Sequence, residues 1–372
     1  MNLDDLKNLP TPAPSGWEPG IEWNGHTGHV TVATKGEQPD PEKINGVLDS
    51  SPFLSSDEVM VDWSSKPRVS IHHDDAGNLV QAWYKLALLP RIERSFDVQD
   101  LVERINEPFM AHTTTPAWRT IMIMDTHIGK SEDAGGGSEL IAQRWLDSVG
   151  KALDKGYEGI NLAFGGDLVE GYVSQNGANI SQTDLTLTEQ MRVAQHLVSK
   201  TIQLALEHAP QVIVSVVPGN HGETTRVRNR PMGDSYDIQI VSNVQQAFEL
   251  AGIEGVTFYY PESNRGDVTY QAGDATFTLV HGHLFKGQMQ GAERWWQGQV
   301  MNGRPAGAST VLMAGHFHNS QIANVTADKW IMFGPSLESE SVWLSNKNGA
   351  SARSGVLAFD MVDGVPTNIG VC

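Results

Sequence analysis

Five short blocks in this chain gather Asp, Asn and His, each directly after an apolar run: Asp125-Thr126-His127, Gly166-Asp167, Gly219-Asn220-His221, His281-Gly282-His283 and Gly315-His316-Phe317-His318. Imidazole nitrogens, carboxylates and one amide oxygen are ligands for Mn, Fe, Ni or Zn, and the lack of thiolates excludes a cysteine-built structural zinc site. The donor set is sized for two divalent transition-metal ions, with manganese the first expectation. A pair of such ions is an apparatus for hydrolysing phosphoesters. Taken singly, each His reads as a hydrogen-bonded structural residue. Six of the thirteen histidines falling inside the blocks shifts the reading towards metal.

Over roughly residues 118 to 340 the blocks resemble the signature of the calcineurin-like metallophosphoesterases: DxH, GDxxxxG, GNH(D/E), a later His, then GHxH. The second block here is Gly166-Asp167-Leu168-Val169-Glu170-Gly171, and the third runs Pro218-Gly219-Asn220-His221-Gly222-Glu223. Gly222 departs from the pattern, which often has Asp or Glu there; Glu223 lies one place on. The resemblance implies that Asp125, His127 and His318 hold one metal. It implies that Asn220, His281 and His316 hold the other, with Asp167 bridging both. Two ions about 3.5–4 Å apart lower the pKa of a shared water and stabilise both oxygens of an in-line displacement. His221 resembles the family's non-ligand His, which protonates the leaving oxygen or holds the phosphate. His283, two residues past a ligand, reads either as a support for the ligands or as a buried hydrogen-bonded residue.

For the substrate, Asp125 and His127 together resemble the diesterase and nuclease branches. Asp125-Thr126-His127-Ile128-Gly129 is similar to the opening of SbcD-type nucleases, and the N-terminal part resembles phage-encoded versions. Arg226, Arg228 and Arg230 follow the third block and suit a phosphate backbone, or else form a solvated loop. Lys286, Arg294, Trp295 and Trp296 follow the fourth block as a stacking platform for bases, or as core. The expected activity is therefore a binuclear metal-dependent phosphodiesterase acting on DNA. The alternatives are a phosphodiesterase for small or cyclic nucleotides and a non-catalytic interaction module. The intact ligand set argues against the last.

Composition bounds these readings. The 372 residues are 40% hydrophobic, enough for one large core or two smaller ones. The sole cysteine, Cys372, allows neither a disulfide framework nor a cysteine metal site. Met1 to Gly16 is polar with no apolar signal region, and no run reaches membrane-span length, so a cytoplasmic protein without a membrane partner is expected. The formal charge is −18, shared evenly: residues 1–115 carry 18 acidic and 9 basic side chains, the remainder 26 and 17. That balance counts against a protein wrapping a long duplex, though not against a local basic groove. A homodimer is left open.

The elements that must position the blocks are legible as strands running into them: Ile121–Met124, Ile160–Phe164, Gln211–Val217, Phe277–Val280 and Val311–Ala314. Helical periodicity covers residues 138–154, 187–207 and 237–251. The pattern predicts an α/β chain with its site at strand carboxyl ends, and it accommodates the family's two-sheet sandwich flanked by helices. Residues 355–371 read as a hairpin around Asp363-Gly364. Before the blocks, residues 1–20 read as a flexible tail and 21–112 as a mostly β accessory region. That region ends in a helix at Val98–Ile105 capped by Ser95 or Asp97; residues 113–372 form the metallophosphoesterase domain. Two glycine-bearing motifs lead nowhere. Gly129-Lys130-Ser131 lacks the glycine a phosphate-binding loop needs at Met124. The stretch 133–138 reads as a mobile loop ending in a Ser138 helix cap.

Overall fold

The computed structural model describes residues 13–35, 38–91, 96–106, 114–131, 137–227, 229–338 and 352–372. Most of the expected N-terminal tail, residues 1–12, and Ser95 lie outside the described residues. The chain forms two compact units, Met1–Glu93 and Arg94–Cys372.

The first unit is an antiparallel sheet of β1 (Gly20–Trp23), β2 (Gly28–Thr34), β3 (Val59–Val61), β4 (Arg68–His73) and β5 (Leu79–Pro90), with order β1-β2-β5-β3 and β4 also paired to β5. Helix α1 (Pro41–Asp49) starts at Asp40, whose carboxylate accepts the Glu42 N–H, and has Pro in its first turn. Its Ile44, Val47 and Leu48 form one apolar stripe against Val30, Val32, Leu86 and Leu88. The β4–β5 turn is closed by Asp74 N–H donating to Asn78 O, with Gly77 at φ 81°.

The second unit begins with α2 (Val98–Ile105), capped by Asp97, whose carboxylate accepts the Gln99 and Asp100 N–H groups. The sequence reading places this helix in the accessory region. Its Val98, Leu101, Val102 and Ile105 instead pack in the core of the second unit. Then come β6 (Thr114–Ile123), α3 (Gly137–Ala152), β7 (Gly156–Phe164), α4 (Leu187–His208), β8 (Val212–Val216), α5 (Tyr236–Leu250) and β9 (Val256–Tyr259). Strands β10 (Asp267–Ala272) and β11 (Ala275–Val280), helix α6 (Met289–Met301), and strands β12 (Val311–Ala314), β13 (Gln321–Thr326), β14 (Lys329–Phe333), β15 (Leu357–Val362) and β16 (Val365–Val371) complete it.

These strands make two sheets, ordered β16-β15-β6-β7-β8-β9 and β10-β11-β12-β14-β13. β6 to β9 run parallel, and so do β11, β12 and β14; the remaining strands pair antiparallel at the flanks. Alternation along β6 shows how residues choose a layer. Ile121 and Ile123 face α2 to α5, while Met122 and Met124 face the second sheet, because successive strand side chains point to opposite faces. The inter-sheet layer is completed by Phe277, Leu279, Val311, Met313, Met332 and Phe359. Ala292 and Trp296 of α6 cover the outer face of the second sheet at Leu312, Ala314, Ile331 and Phe333. The architecture is the expected mixed α/β one, a two-sheet sandwich with helices outside. Among the described residues no helix is long and apolar enough to cross a membrane.

Candidate metal centre

Every ligand-bearing block sits where a parallel strand ends. The first three follow β6, β7 and β8 of one sheet, and the last two follow β11 and β12 of the other. The loops are stitched together beyond the sheets. His127 N–H donates to Asp167 O at 2.9 Å, Ile128 N–H to Leu168 O at 3.1 Å, and Gly315 N–H to His281 O at 2.9 Å. Reaching the centre costs backbone strain. Asp125, His127, Asp167, His316 and His318 all adopt left-handed φ values, between 47° and 70°. Each such non-glycine conformation costs on the order of 1 kcal/mol, and strain of this kind concentrates where function demands it.

The side chains converge in two groups. Donor atoms of Asp125, His127 and His318 lie within 4.8 Å of one another, and so do those of Asp167, His281 and His316. Asn220 joins the second group, its Oδ1 3.1 Å from His281 Nε2. Asp167 stands between them, with Oδ2 3.1 Å from His281 Nε2 and 4.0 Å from His127 Nε2. The structure thus brings the side chains of Asp125, His127, Asp167, Asn220, His281, His316 and His318 close together.

The hydrogen bonds decide which nitrogens face inward. Nδ1 of His127 meets Glu170 at 3.0 Å, Nδ1 of His318 meets Glu338 at 2.7 Å, and Nδ1 of His281 meets Gly165 O at 2.8 Å. All three partners are acceptors, so each Nδ1 carries a proton and each Nε2 turns into the centre. There His127 Nε2 faces His318 Nε2 at 3.4 Å. The fully buried Asp125 Oδ1 has no hydrogen-bond partner. Lone pairs converging on one another are stable only around positive charge, and this donor chemistry fits two divalent cations. The same demand is visible in the imidazole of His281. Burial pulls its pKa down, but Asp167 and Asp125 more than offset this and lift it to about 10. Asp167 is held well below the usual carboxylate range, because His281, His221 and His127 outweigh its burial.

His221 belongs to neither of these groups but lies with His127 and Glu170 in a third, whose donor atoms are also within 4.8 Å of one another. Its Nδ1 lies 3.1 Å from Glu170, its Nε2 3.2 Å from Ser174 Oγ, and its backbone N–H donates to Asp167 Oδ1 at 2.6 Å. Burial lowers its pKa, yet Asp167 and Glu170 raise it to about 9. His283 is also outside both groups, its ring centroid 5.2 Å from that of His281 and 6.2 Å from that of His316. Burial, then the charge of His281, pushes it down to about 4, so it is neutral.

Three acidic residues to which the sequence reading assigns no role complete the surroundings. Glu170 lies inside the second block, three residues past Asp167, and its position there is the available signal. Burial raises its pKa, but hydrogen bonds from His127 and His221 bring it to about 2. Glu338, beyond β14, bonds His318 and also Lys130 at 2.7 Å; no motif marks it. Asp237, in the first turn of α5, accepts the Gly219 and Leu168 N–H groups at 2.8 Å each and so ties the third block to the second. Asp237 also accounts for Gly222. A Cβ there would lie 2.1 Å from Asp237 Oδ2, so only glycine leaves room for this carboxylate. Glu223, one place on, points to cations instead, pairing with Arg226 at 3.0 Å and Arg230 at 2.7 Å.

Arg226 also donates to Asn220 O at 3.1 Å, which braces the backbone of the third block, and Arg230 donates to Asp234 O at 3.1 Å. Arg228 lies outside the described residues. The tryptophan pair divides. Trp296 is core, its Nε1 donating to Ala306 O at 2.6 Å, whereas Trp295 is only partly buried and lines a cavity. The 133–138 stretch falls outside the described residues up to 136. Ser138 is buried in the first turn of α3, with its N–H donating to Asp184 and its hydroxyl accepting the Gly129 N–H, so it braces the first block instead of capping the helix.

No family model matches the chain, and no curated protein matches it. Solved structures similar to it include wild-type Vps29 in complex with zinc from Entamoeba histolytica, at 11% identity over 67% of this chain and 96% of that one, with a TM-score of 0.30. Vacuolar protein sorting 29 from Cryptosporidium parvum is 14% identical over 69% and 97% of the two chains, with a TM-score of 0.32. A dimetal phosphatase from Danio rerio is 10% identical over 67% and 94%, with a TM-score of 0.36. At these identities and TM-scores the likenesses carry no functional information.

Proposed function

We propose that the chain is a binuclear metal-dependent phosphodiesterase. The observation that carries this reading is the convergence of seven donors from five strand-end loops, with the Nδ1 atoms of His127, His281 and His318 held from outside. Bound there, two divalent ions supply a nucleophile at neutral pH and neutralise charge on the attacking and leaving oxygens. Asp125, His127 and His318 would hold one ion and Asn220, His281 and His316 the other, with Asp167 shared between them. Asn220 contributes a neutral oxygen, which keeps the centre positive for an anionic substrate. His221 presents a protonated Nε2 beside Ser174 Oγ and delivers that proton to the leaving oxygen, while Glu170 keeps the ring charged. His283 supports the rings of His281 and His316.

Among diesters, DNA is the proposed substrate. Arg226 supports it, half-exposed beside Asn220 and able to meet a strand leaving the centre, with Arg228 and Arg230 in the same segment. A small or cyclic nucleotide is the second reading, favoured by the hold of Glu223 on Arg226 and Arg230, which cancels charge a strand would need. The deciding assay offers bis-p-nitrophenyl phosphate, 2′,3′-cyclic nucleotides, and single- and double-stranded DNA side by side with Mn²⁺. Hydrolysis of the aryl diester and DNA is expected. Cleavage of the small diesters alone selects the second reading, and hydrolysis of none overturns the phosphodiesterase reading.

A further inference from the structure

The metal centre has a neighbour that none of its assigned residues requires. A cavity of about 280 Å³ opens beside His281 and His283 and is walled by Met232, Phe285, Trp295 and Gln299. Trp295 and Gln299 lie four residues apart on α6, so they share a face, while Ala292 and Trp296 turn to the sheet. Phe285 and Trp295 pack together with ring centroids 5.8 Å apart, and Met232 adds a polarisable thioether. The lining is mixed: Asn264, Arg265 and Asp267 join the apolar residues, Arg265 donating to Asp267 at 2.8 Å, and His283 Nδ1 and Gln299 Oε1 are buried polar atoms with no hydrogen-bond partner. Such atoms bear the full desolvation penalty unless a ligand meets them.

We infer that this cavity binds the base of a nucleotide whose phosphorus sits at the metal centre. A base has flat faces for Trp295 and a polar edge for His283 and Gln299. An acyl chain would leave both polar atoms unmet, and a sugar alone would waste the aromatic wall. Ligand sites typically occupy roughly 300–1,000 Å³, so the volume suits one nucleoside and excludes a run of stacked bases. His281 belongs to the donor cluster and also lines the cavity, so the cavity adjoins the centre. This inference rests on the phosphodiesterase reading and narrows it to nucleotide diesters, whether a small nucleotide or the terminal nucleoside of a strand.

The test separates the two claims. Adenosine 5′-monophosphate and ribose 5-phosphate are titrated calorimetrically into the Mn²⁺-loaded protein, in wild type, Trp295→Ala and Gln299→Leu. In parallel, hydrolysis of methyl p-nitrophenyl phosphate, which has no base, reports on the centre alone. Wild type should bind the nucleotide about tenfold more tightly than the sugar phosphate, the gain expected from base–aromatic stacking. Both variants should narrow that ratio while methyl ester turnover stays at the wild-type level. Equal affinities in wild type, or a preference untouched in Gln299→Leu and in folded Trp295→Ala, overturns the subsite. A preference that behaves as expected without any methyl ester hydrolysis leaves the subsite standing and overturns the phosphodiesterase reading.

Discussion

In the proposed mechanism, His221 and Glu170 together set the proton supply of the site. Because His221 binds through neither ligand group, His221→Ala should leave the metal content at the wild-type level. It should slow esters with poor leaving groups by about 10²–10⁴ while barely affecting p-nitrophenyl esters, which leave without protonation. Equal losses on both ester types, or a missing ion, would make His221 a ligand or a purely structural residue. The pH profile gives a second check. The acid must be protonated, so activity is present below the His221 pKa and lost as pH rises through it. Glu170 helps hold that pKa up, and Glu170→Gln should move the alkaline limb of kcat/KM to lower pH by about one unit. A limb that stays put belongs to another group. On the other side of the centre, Glu338→Gln should weaken Mn²⁺ binding about 10- to 100-fold, since Glu338 orients His318 through Nδ1. Unchanged affinity by calorimetry would show that this carboxylate orients nothing.

At the scale of elements, the centre depends on how loops after two sheets are braced against one another. Asp237 illustrates the brace. Gly222→Ala drives a Cβ into its carboxylate, so a loss of roughly 1–3 kcal/mol in stability is expected, as for other overpacked sites. Metal affinity should fall with it, because Gly219 and Leu168 lose a shared acceptor; a wild-type Tm and metal content would refute the brace. Much of this framework is legible in the sequence. Apolar runs such as Ile160–Phe164 and Val311–Ala314 name their strands, and the blocks after them name the side chains that converge, because metal chemistry restricts residue type tightly. The supporting residues are harder to see. Glu338, Asp237 and Ser174 act through a few hydrogen bonds across long sequence separations, and one carboxylate or hydroxyl leaves no pattern. Helix α6 escapes a periodicity reading because Gly291, Gly298, Gln290, Gln297 and Gln299 dilute the apolar stripe that Ala292 and Trp296 press against the sheet. The expectation of a Ser138 cap fails because Asp184, 46 residues away, supplies the acceptor that a local cap would have provided.

The whole molecule carries a charge of −18, so any hold on DNA must come from a local cationic segment acting against the global field. Replacing Arg226, Arg228 and Arg230 with Gln should weaken DNA cleavage and reduce the log–log salt slope by about 0.7 to 0.9 for each phosphate no longer neutralised. Small-diester hydrolysis should barely change. If both activities fall together, the arginines serve the centre by bracing Asn220 and Glu223. The claim beneath all of these is that activity resides in two ions held by seven side chains with Asp167 common to both. It is tested most directly by titrating Mn²⁺ into chelator-stripped protein while following both bound metal and bis-p-nitrophenyl phosphate turnover, in wild type and in Asp167→Asn. Wild type should take up two ions per chain and gain activity as they bind. Asp167→Asn should keep its fold, hold fewer ions and lose on the order of a hundredfold in turnover, a few kcal/mol of charge stabilisation. Wild-type turnover in the stripped protein, or in Asp167→Asn, would contradict the assignment of this centre.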